Sequence, residues 1–231
     1  MPRPAPGWIN GLPRNHLIAE YSMWSADLTR LSDDLTRITP YADILHIDVA
    51  DGHFAPALLF FPDLVARLRD QTALPVHIHL MCADAVILSQ VTQFAEAGAD
   101  LISLHVENAA VADDALAMIA ERGLAAGMVL RVETPVAEVA RWLPRLDFLT
   151  LLGTAIGVKG QGLDPCAGDR LRAAAGLIAA TGRRIMLAAD GGIRDNTVPV
   201  LRAAGAETVV LGSLAFGAPD LAARMAWFRR L

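Results

Sequence analysis

The sequence predicts an α/β protein with one domain: a closed (β/α)8 or TIM barrel of eight parallel strands, each followed by a helix. Three observations predict it. Short β-like apolar runs alternate with amphipathic helical patterns along the chain. Eight such runs occur, with C-terminal ends near positions 22, 48, 79, 105, 131, 152, 190 and 212, a spacing of 21 to 38 residues that suits one β/α unit each. Glycines close several helical segments at Gly98, Gly123, Gly182 and Gly205, as helix C-caps do. An open doubly wound sheet is the alternative, but its Gly-rich first turn is absent. At 231 residues the chain can bury a sizeable core, and no linker divides it.

Residues 1–16, beginning "MPRPAPGWINGLPRN", contain no long apolar run. They read as a poorly ordered extension rather than a signal peptide or anchor. The barrel domain then occupies 17–231. Its first strand is "LIAEYS" (17–22). The second, "DILHIDV" (43–49), places His46 and Asp48 on one face and Ile47 and Val49 on the other, because strand side chains alternate. The third, "PVHIHLM" (75–81), pairs His77 with His79 opposite Ile78. "DLISLHV" (100–106), "AAGMVLRV" (125–132) and "DFLTLLG" (147–153) follow. A longer loop precedes "RRIMLAAD" (183–190), and "ETVVLGS" (207–213) completes the ring. Between the strands lie helical patterns such as "LVARLRD", "VILSQVTQFAEAG" and "ADDALAMIAERG".

Composition narrows the function classes. Net charge is −5 and no run of Lys or Arg stands out, which argues against nucleic acid and anionic membrane as partners. No apolar segment reaches membrane-spanning length without a charge or turn residue. The two cysteines, Cys82 and Cys166, are too few and too far apart for a disulfide scaffold or a Cys-rich zinc site. A cytoplasmic homo-oligomer that binds a small molecule is expected.

Against a chain that is 54% hydrophobic and 19% charged, the polar strand residues stand out. In a barrel the apolar face meets the helices, so His46, Asp48, His77 and His79 point inward, near the C-terminal mouth where such barrels do chemistry. Taken singly, a barrel histidine is more often a hydrogen-bonded core residue than a ligand, and an inward aspartate can serve as a cap or ion-pair partner. Together with Asp190, which ends the seventh strand in "AADGG", they make a concentration of carboxylates that is costly to bury unpaired. Such a mixed N/O set suits one divalent metal ion: zinc, iron or manganese.

Glycines form a second constellation. "GTAIGVKGQG" (153–162), "DGGI" (190–193) and "LGS" (211–213) follow strands six, seven and eight. Each alone reads as a tight turn. Three on adjacent strands suit backbone N–H groups gathered around an anion, where such barrels hold phosphate.

These motifs resemble the ribulose-phosphate 3-epimerases, from about residue 17 to 230. "YSMWSADLTRL" is similar to the family's opening Ser-x-x-Ser-Ala-Asp stretch, and "HIDVADGHFAP" to its His-x-Asp-Val-Met-Asp-Gly-His-Phe-x-Pro motif. "HLM" (79–81), "HVE" (105–107), "DGGI" and "GSLAFGAPD" also match. The resemblance implies a ribulose-phosphate-binding barrel in which His46, Asp48, His79 and Asp190 hold the metal, with Asp48 and Asp190 as the acid/base pair. It implies that Ser22 and Met81 line the substrate. Gly157, Val158, Lys159, Gly160, Gly191, Gly192, Gly212 and Ser213 would surround its phosphate. The reaction implied is epimerisation at C3 of a ketose phosphate through an enediolate, with D-ribulose 5-phosphate and D-xylulose 5-phosphate as the default pair. Three positions depart from the pattern: Ala50 and Leu152 stand where the family usually has Met, and Lys159 stands in place of a Gly in "AIGVKGQ" (155–161). They leave a hexulose 6-phosphate or tetrulose phosphate open as the substrate. A phosphate-binding-barrel lyase would typically need a lysine beside the catalytic aspartate, and the chain's single lysine is Lys159. A non-catalytic sugar-phosphate binder would not need both aspartates.

Overall fold

The computed structural model describes residues 3–231. Nine strands form one sheet: β1 (Ile18–Ser22), β2 (Ile44–Asp51), β3 (Leu58–Leu59), β4 (Val76–Met81), β5 (Leu101–His105), β6 (Ala125–Leu130), β7 (Phe148–Leu152), β8 (Met186–Asp190) and β9 (Thr208–Leu211). Eight of them run parallel in the order β1-β9-β8-β7-β6-β5-β4-β2, and β1 pairs with β2 to close the ring. Each of the eight expected runs is a strand. The ninth, β3, pairs antiparallel with the end of β2 and extends the mouth over one edge.

The helices are α1 (Leu31–Ile38), α2 (Pro62–Arg69), α3 (Asp84–Glu96), α4 (Ala112–Glu121), α5 (Ala167–Ala180), α6 (Val198–Ala203), α7 (Ser213–Phe216) and α8 (Leu221–Phe228). Their apolar spacing explains their seats. α3 buries Ile87, Val91 and Phe94, and α4 buries Ala112, Ala115, Leu116 and Ile119, one stripe of a 3.6-residue helix in each case. One unit departs from expectation. After β6 the chain makes two 3-10 turns, Val136–Val139 and Leu143–Arg145, in place of an α-helix. Pro135 stands at the start of this stretch and Pro144 falls inside it, where a proline removes a helical hydrogen bond and clashes with the preceding turn. Val136, Val139 and Trp142 still bury one face, at the three-residue period of a 3-10 helix.

The strands' outward residues, such as Ala19, Tyr21, Ile47, Val49, Ile78 and Leu80, pack with the helices in the main core. The interior changes character from floor to mouth. Ile18, Ile44, Leu101, Phe148 and Met186 make an apolar floor. Above it Glu20, His46, His77, Ser103 and Thr150 are fully buried. Gly127 makes room for this polar layer, since a Cβ there would lie 1.9 Å from the Ser103 hydroxyl.

Carboxylates at the starts of alternate strands tie the floor together. Asp43 accepts from the Ala19 N–H (2.7 Å), Asp100 from Val76 (2.9 Å), Asp147 from Ala126 (3.0 Å) and Glu207 from Leu187 (3.2 Å). Each stands just before one barrel strand and holds the strand preceding it. The N-terminal segment, expected to be poorly ordered, is seated here instead. Gly7 turns the chain at φ +74°, a 3-10 turn follows at Trp8–Gly11, and Ile9 packs against the apolar floor at 5% exposure. Trp8 and Leu12 join it, so the apolar residues of a proline-rich stretch find a surface to cover.

Candidate functional site

The barrel register brings the polar pairs to one point. Asp48 of β2 lies beside His79 of β4, Leu152 of β7 beside Asp190 of β8, and Ser22 of β1 beside His46. The Ser22 hydroxyl donates to Asp48 Oδ2 at 2.6 Å. The other oxygen, Asp48 Oδ1, sits 3.2 Å from both His46 Nε2 and His79 Nδ1. Asp190 Oδ2 stands 4.0 Å from His79 Nδ1. One ligand atom from each of His46, Asp48, His79 and Asp190 falls within 4.8 Å of the others, so the four could hold a metal ion. His77, which shares an inward face with His79, is not among them. It turns down to Glu20 and Ser103, and Glu20, His46 and His77 form a second group beneath the first.

The electrostatics of these carboxyls diverge. Burial pushes Asp190 up to about 6, with the Asp48 charge adding to it and the His46 and His79 rings opposing it. Burial also acts to raise Asp48, but His46 and His79 outweigh it and hold that carboxyl well below its ordinary range. His46 is the counterpart: burial lowers it, while the flanking Asp48 and Glu20 carboxylates raise it well above an ordinary histidine. Glu20 resists burial through the rings of His77 and His46 and falls to about 2. A pair of carboxyls pushed apart in this way suits complementary proton donor and acceptor roles. The donor set suits a divalent cation. Two imidazole nitrogens each lie 3.2 Å from one carboxylate oxygen, and Asp190 makes no hydrogen bond to a cationic side chain among the described residues.

Above this floor opens a cavity of about 340 Å³. Ser22, Asp48, His79, Met81 and Asp190 line its base, and Gly157, Val158, Lys159, Gly160, Gly191, Gly192, Gly212 and Ser213 line its rim. His46 alone among the expected site residues lies beneath, fully buried. Gly192 has φ +69°, and a Cβ on it would lie 2.7 Å from Leu163 Cα, so this turn needs glycine for both reasons. Lys159 crosses the mouth. Its Nζ donates to the Trp24 carbonyl at 2.5 Å and stands 4.7 Å from the centre of the Trp24 ring. Partial burial lowers its pKa, against the pull of Asp48.

The departures from the family pattern separate here. Leu152 faces the cavity. Ala50 does not; it packs in one cluster with Ala55 and Met81, against which Ile156 also packs, and acts on the cavity wall through those neighbours. Sequence reasoning gave no role to Glu20, to His105 and Glu107, or to Trp24, Thr154 and Arg194 on the cavity wall. Glu20 shares a strand face with Ser22 in "LIAEYS", so its inward direction could have been read. Its partners could not, because they come from other strands.

Comparison with known proteins places the chain in a family. Residues 18–216 match the model of the ribulose-phosphate 3 epimerase family. Ribulose-phosphate 3-epimerase 2 of Cupriavidus necator is 36% identical over 206 residues, covering 86% of this chain and 84% of its own. Ribulose-phosphate 3-epimerase of Escherichia coli is 35% identical over 209 residues (90% and 92%), and that of Bacillus subtilis 32% over 201 (86% and 92%). Solved structures share the fold at low identity. Orotidine 5'-phosphate decarboxylase from Pyrococcus horikoshii superimposes with a TM-score of 0.66 at 13% identity, over 92% of this chain and 97% of its own. A 3-hexulose-6-phosphate synthase gives 0.66 at 17%, over 93% and 99%. With its motif, its fold and its relatives in agreement, the chain belongs to the ribulose-phosphate 3-epimerase family.

Proposed function

We propose that this protein is a metal-dependent ketose-phosphate 3-epimerase, with D-ribulose 5-phosphate and D-xylulose 5-phosphate as its substrate pair. The observation that carries the reading is the convergence of His46, Asp48, His79 and Asp190 within 4.8 Å at the base of a glycine-rimmed cavity. Membership of an isomerase family supports the reaction class.

The chemistry follows from the residues. One aspartate removes the proton at C3 and the other, protonated, returns one to the opposite face, which inverts that carbon. Asp48 and Asp190 reach the cavity from β2 and β8, with β1 and β9 between them, so their carboxyls meet a bound sugar from different sides. The Ser22 hydroxyl orients Asp48. A divalent ion held by His46, Asp48, His79 and Asp190 would stabilise the negative oxygens of the enediolate. Met81, Leu152 and Ile156 give the reacting carbons an apolar, water-poor wall. The phosphate goes to Gly157, Val158, Gly160, Gly191, Gly192, Gly212 and Ser213, whose backbone can approach closely; Lys159 joins it only by leaving the Trp24 carbonyl. A lyase is not favoured: Lys159 Nζ is bonded to Trp24, not to Asp48.

The reading extends to a cytoplasmic homo-oligomer. Exposed Leu28, Leu58 and Phe61 gather around one apolar depression beside β3 and support self-association, which sedimentation checks. No helix among the described residues is long and apolar enough to cross a membrane.

The test of function is solvent-deuterium uptake at C3 across a panel of pentulose, hexulose and tetrulose phosphates. It is run with metal-replete and chelated protein. Uptake without fragmentation, lost on chelation and restored by a divalent transition metal, is expected. Release of a fragment would assign a lyase, and absence of exchange with every member a binder.

A further inference from the structure

The two histidines of the cluster face it with different ring nitrogens. His46 turns Nε2 toward Asp48, and its Nδ1 lies 2.6 Å from Glu20 Oε1. His79 does the reverse. Its Nδ1 faces Asp48 and Asp190, and its Nε2 lies 2.9 Å from Nε2 of His105. His105 in turn places Nδ1 3.1 Å from Glu107 Oε2. Two chains of hydrogen bonds therefore run outward from the cluster, and each ends on a carboxylate.

A carboxylate accepts and an imidazole N–H donates, which fixes the protons at the outer ends of both chains; the inner nitrogens, His46 Nε2 and His79 Nδ1, face Asp48 Oδ1 at 3.2 Å and are the atoms a cation would take. Glu20 accepts, so Nδ1 of His46 carries hydrogen and Nε2 is the atom left to face the cluster. The same Glu20 oxygen takes the Nδ1–H of His77, whose Nε2 then accepts from the Ser103 hydroxyl at 2.7 Å. His77 is thereby committed and does not compete for His46. On the other side Glu107 fixes Nδ1–H of His105. The two facing Nε2 atoms share one proton, which His79 donates to a neutral His105, leaving Nδ1 as the nitrogen His79 would offer a cation. Glu107 is itself held: its Oε1 accepts from the Arg131 backbone N–H (3.3 Å) and the Thr134 hydroxyl.

Resting on the metal-binding reading above, we propose that Glu20 and the His105–Glu107 pair are positioning residues that lock the two ligand histidines in opposite tautomers. His46 then offers Nε2 and His79 offers Nδ1 to one divalent cation. Without these anchors each ring could place an N–H toward the cation, or turn its other nitrogen inward. Partners of this kind, hydrogen-bonded behind a metal ligand, are worth roughly 10–100-fold in metal affinity. A merely structural role for the same residues would change stability and leave the ligating nitrogens alone.

The test uses the full chain loaded with zinc. Long-range proton–nitrogen NMR of its six histidines should show His46 bound through Nε2 with Nδ1–H retained, and His79 bound through Nδ1 with Nε2–H retained. Competition against a chromophoric chelator should show zinc affinity roughly 10–100-fold weaker in Glu20→Gln and Glu107→Gln. Glu107→Asp, which keeps a carboxylate, should recover part of the loss. Glu20 is fully buried, so if Glu20→Gln does not fold, the partly exposed Glu107 variants and the wild-type spectrum decide the matter. The opposite nitrogens on zinc, or folded Gln variants with wild-type affinity, would overturn the inference while leaving the metal site standing. Failure of the wild type to bind zinc or manganese would instead remove the metal reading, and this inference with it.

Discussion

Asp48 and Asp190 are one residue type in one site, yet their surroundings push their carboxyls in opposite directions. Asp48→Asn and Asp190→Asn are each expected to lower kcat at least ~10²-fold, the usual scale for losing a general acid or base. Bound metal measured on the same samples separates loss of proton transfer from loss of the ion. Asp190 also carries a stability cost. Its carboxyl, pushed up to about 6 by burial, binds a proton more tightly folded than unfolded. Asp190's own contribution to the stability of the metal-free protein should therefore fall as pH rises from about 4 through about 6 and stay reduced above. Asp190→Asn should lift that penalty, on the order of 2–3 kcal/mol at neutral pH and absent below pH 4. Denaturant titrations of metal-free wild type and variant at both pH values check this, and equal midpoints at neutral pH would refute it. The residues facing the mouth were legible because strand alternation puts His46 with Asp48, and His79 with Met81, on one face. Glu20, His105 and Glu107 escaped notice because their meaning lies in contacts between strands, which no single strand's pattern contains.

The elements were legible where periodicity was strong. All eight barrel strands and helices such as α3 and α4 followed their apolar spacing, whereas the helix expected after β6 did not form, because Pro144 falls where its interior would be. The two-residue β3 is too short to leave a periodic trace. Among the loops, 155–162 departs most from the family pattern, and its lysine rests on Trp24. If that ammonium moves to the phosphate when substrate binds, Lys159→Gly should raise KM for the phosphorylated ketose by an amount equivalent to roughly 1–3 kcal/mol. The kcat should hardly change, since the phosphate is held alike in ground and transition states. Steady-state kinetics at low ionic strength, where the attraction is least screened, make the test. An unchanged KM would leave Lys159 as a tie between the loop and Trp24.

At the scale of the molecule, the floor specifies the barrel and the mouth specifies the chemistry. The N-terminal segment belongs to the floor. Its proline-rich composition hid this, because Ile9, Trp8 and Leu12 alone carry the apolar contact, beside an ion pair from Arg3 to Asp100. Ile9→Ala should destabilise the protein by about 2 kcal/mol, the lower end for a buried isoleucine at a rim that can relax. Turnover per folded molecule should be unchanged, because Ile9 lies at the opposite end of the barrel from Asp48. Thermal melts beside kinetics on the same preparation check it, and a loss of turnover without a loss of stability would contradict it.

The floor carboxylates carry a consequence for how such a chain can be assembled. Asp43, Asp100, Asp147 and Glu207 each bind the strand just before their own. Each tie therefore stays inside one two-strand quarter of the ring. In evolutionary terms these quarters are natural units for duplication, and the seams between them are natural places to cut. A break at the exposed turn around Gly123, between β5 and β6, leaves two quarters on each side with every floor tie intact. Halves 1–123 and 124–231, co-expressed as separate chains, are then expected to co-purify as one closed barrel. A break after β1, which parts Asp43 from Ala19, should not be tolerated as well.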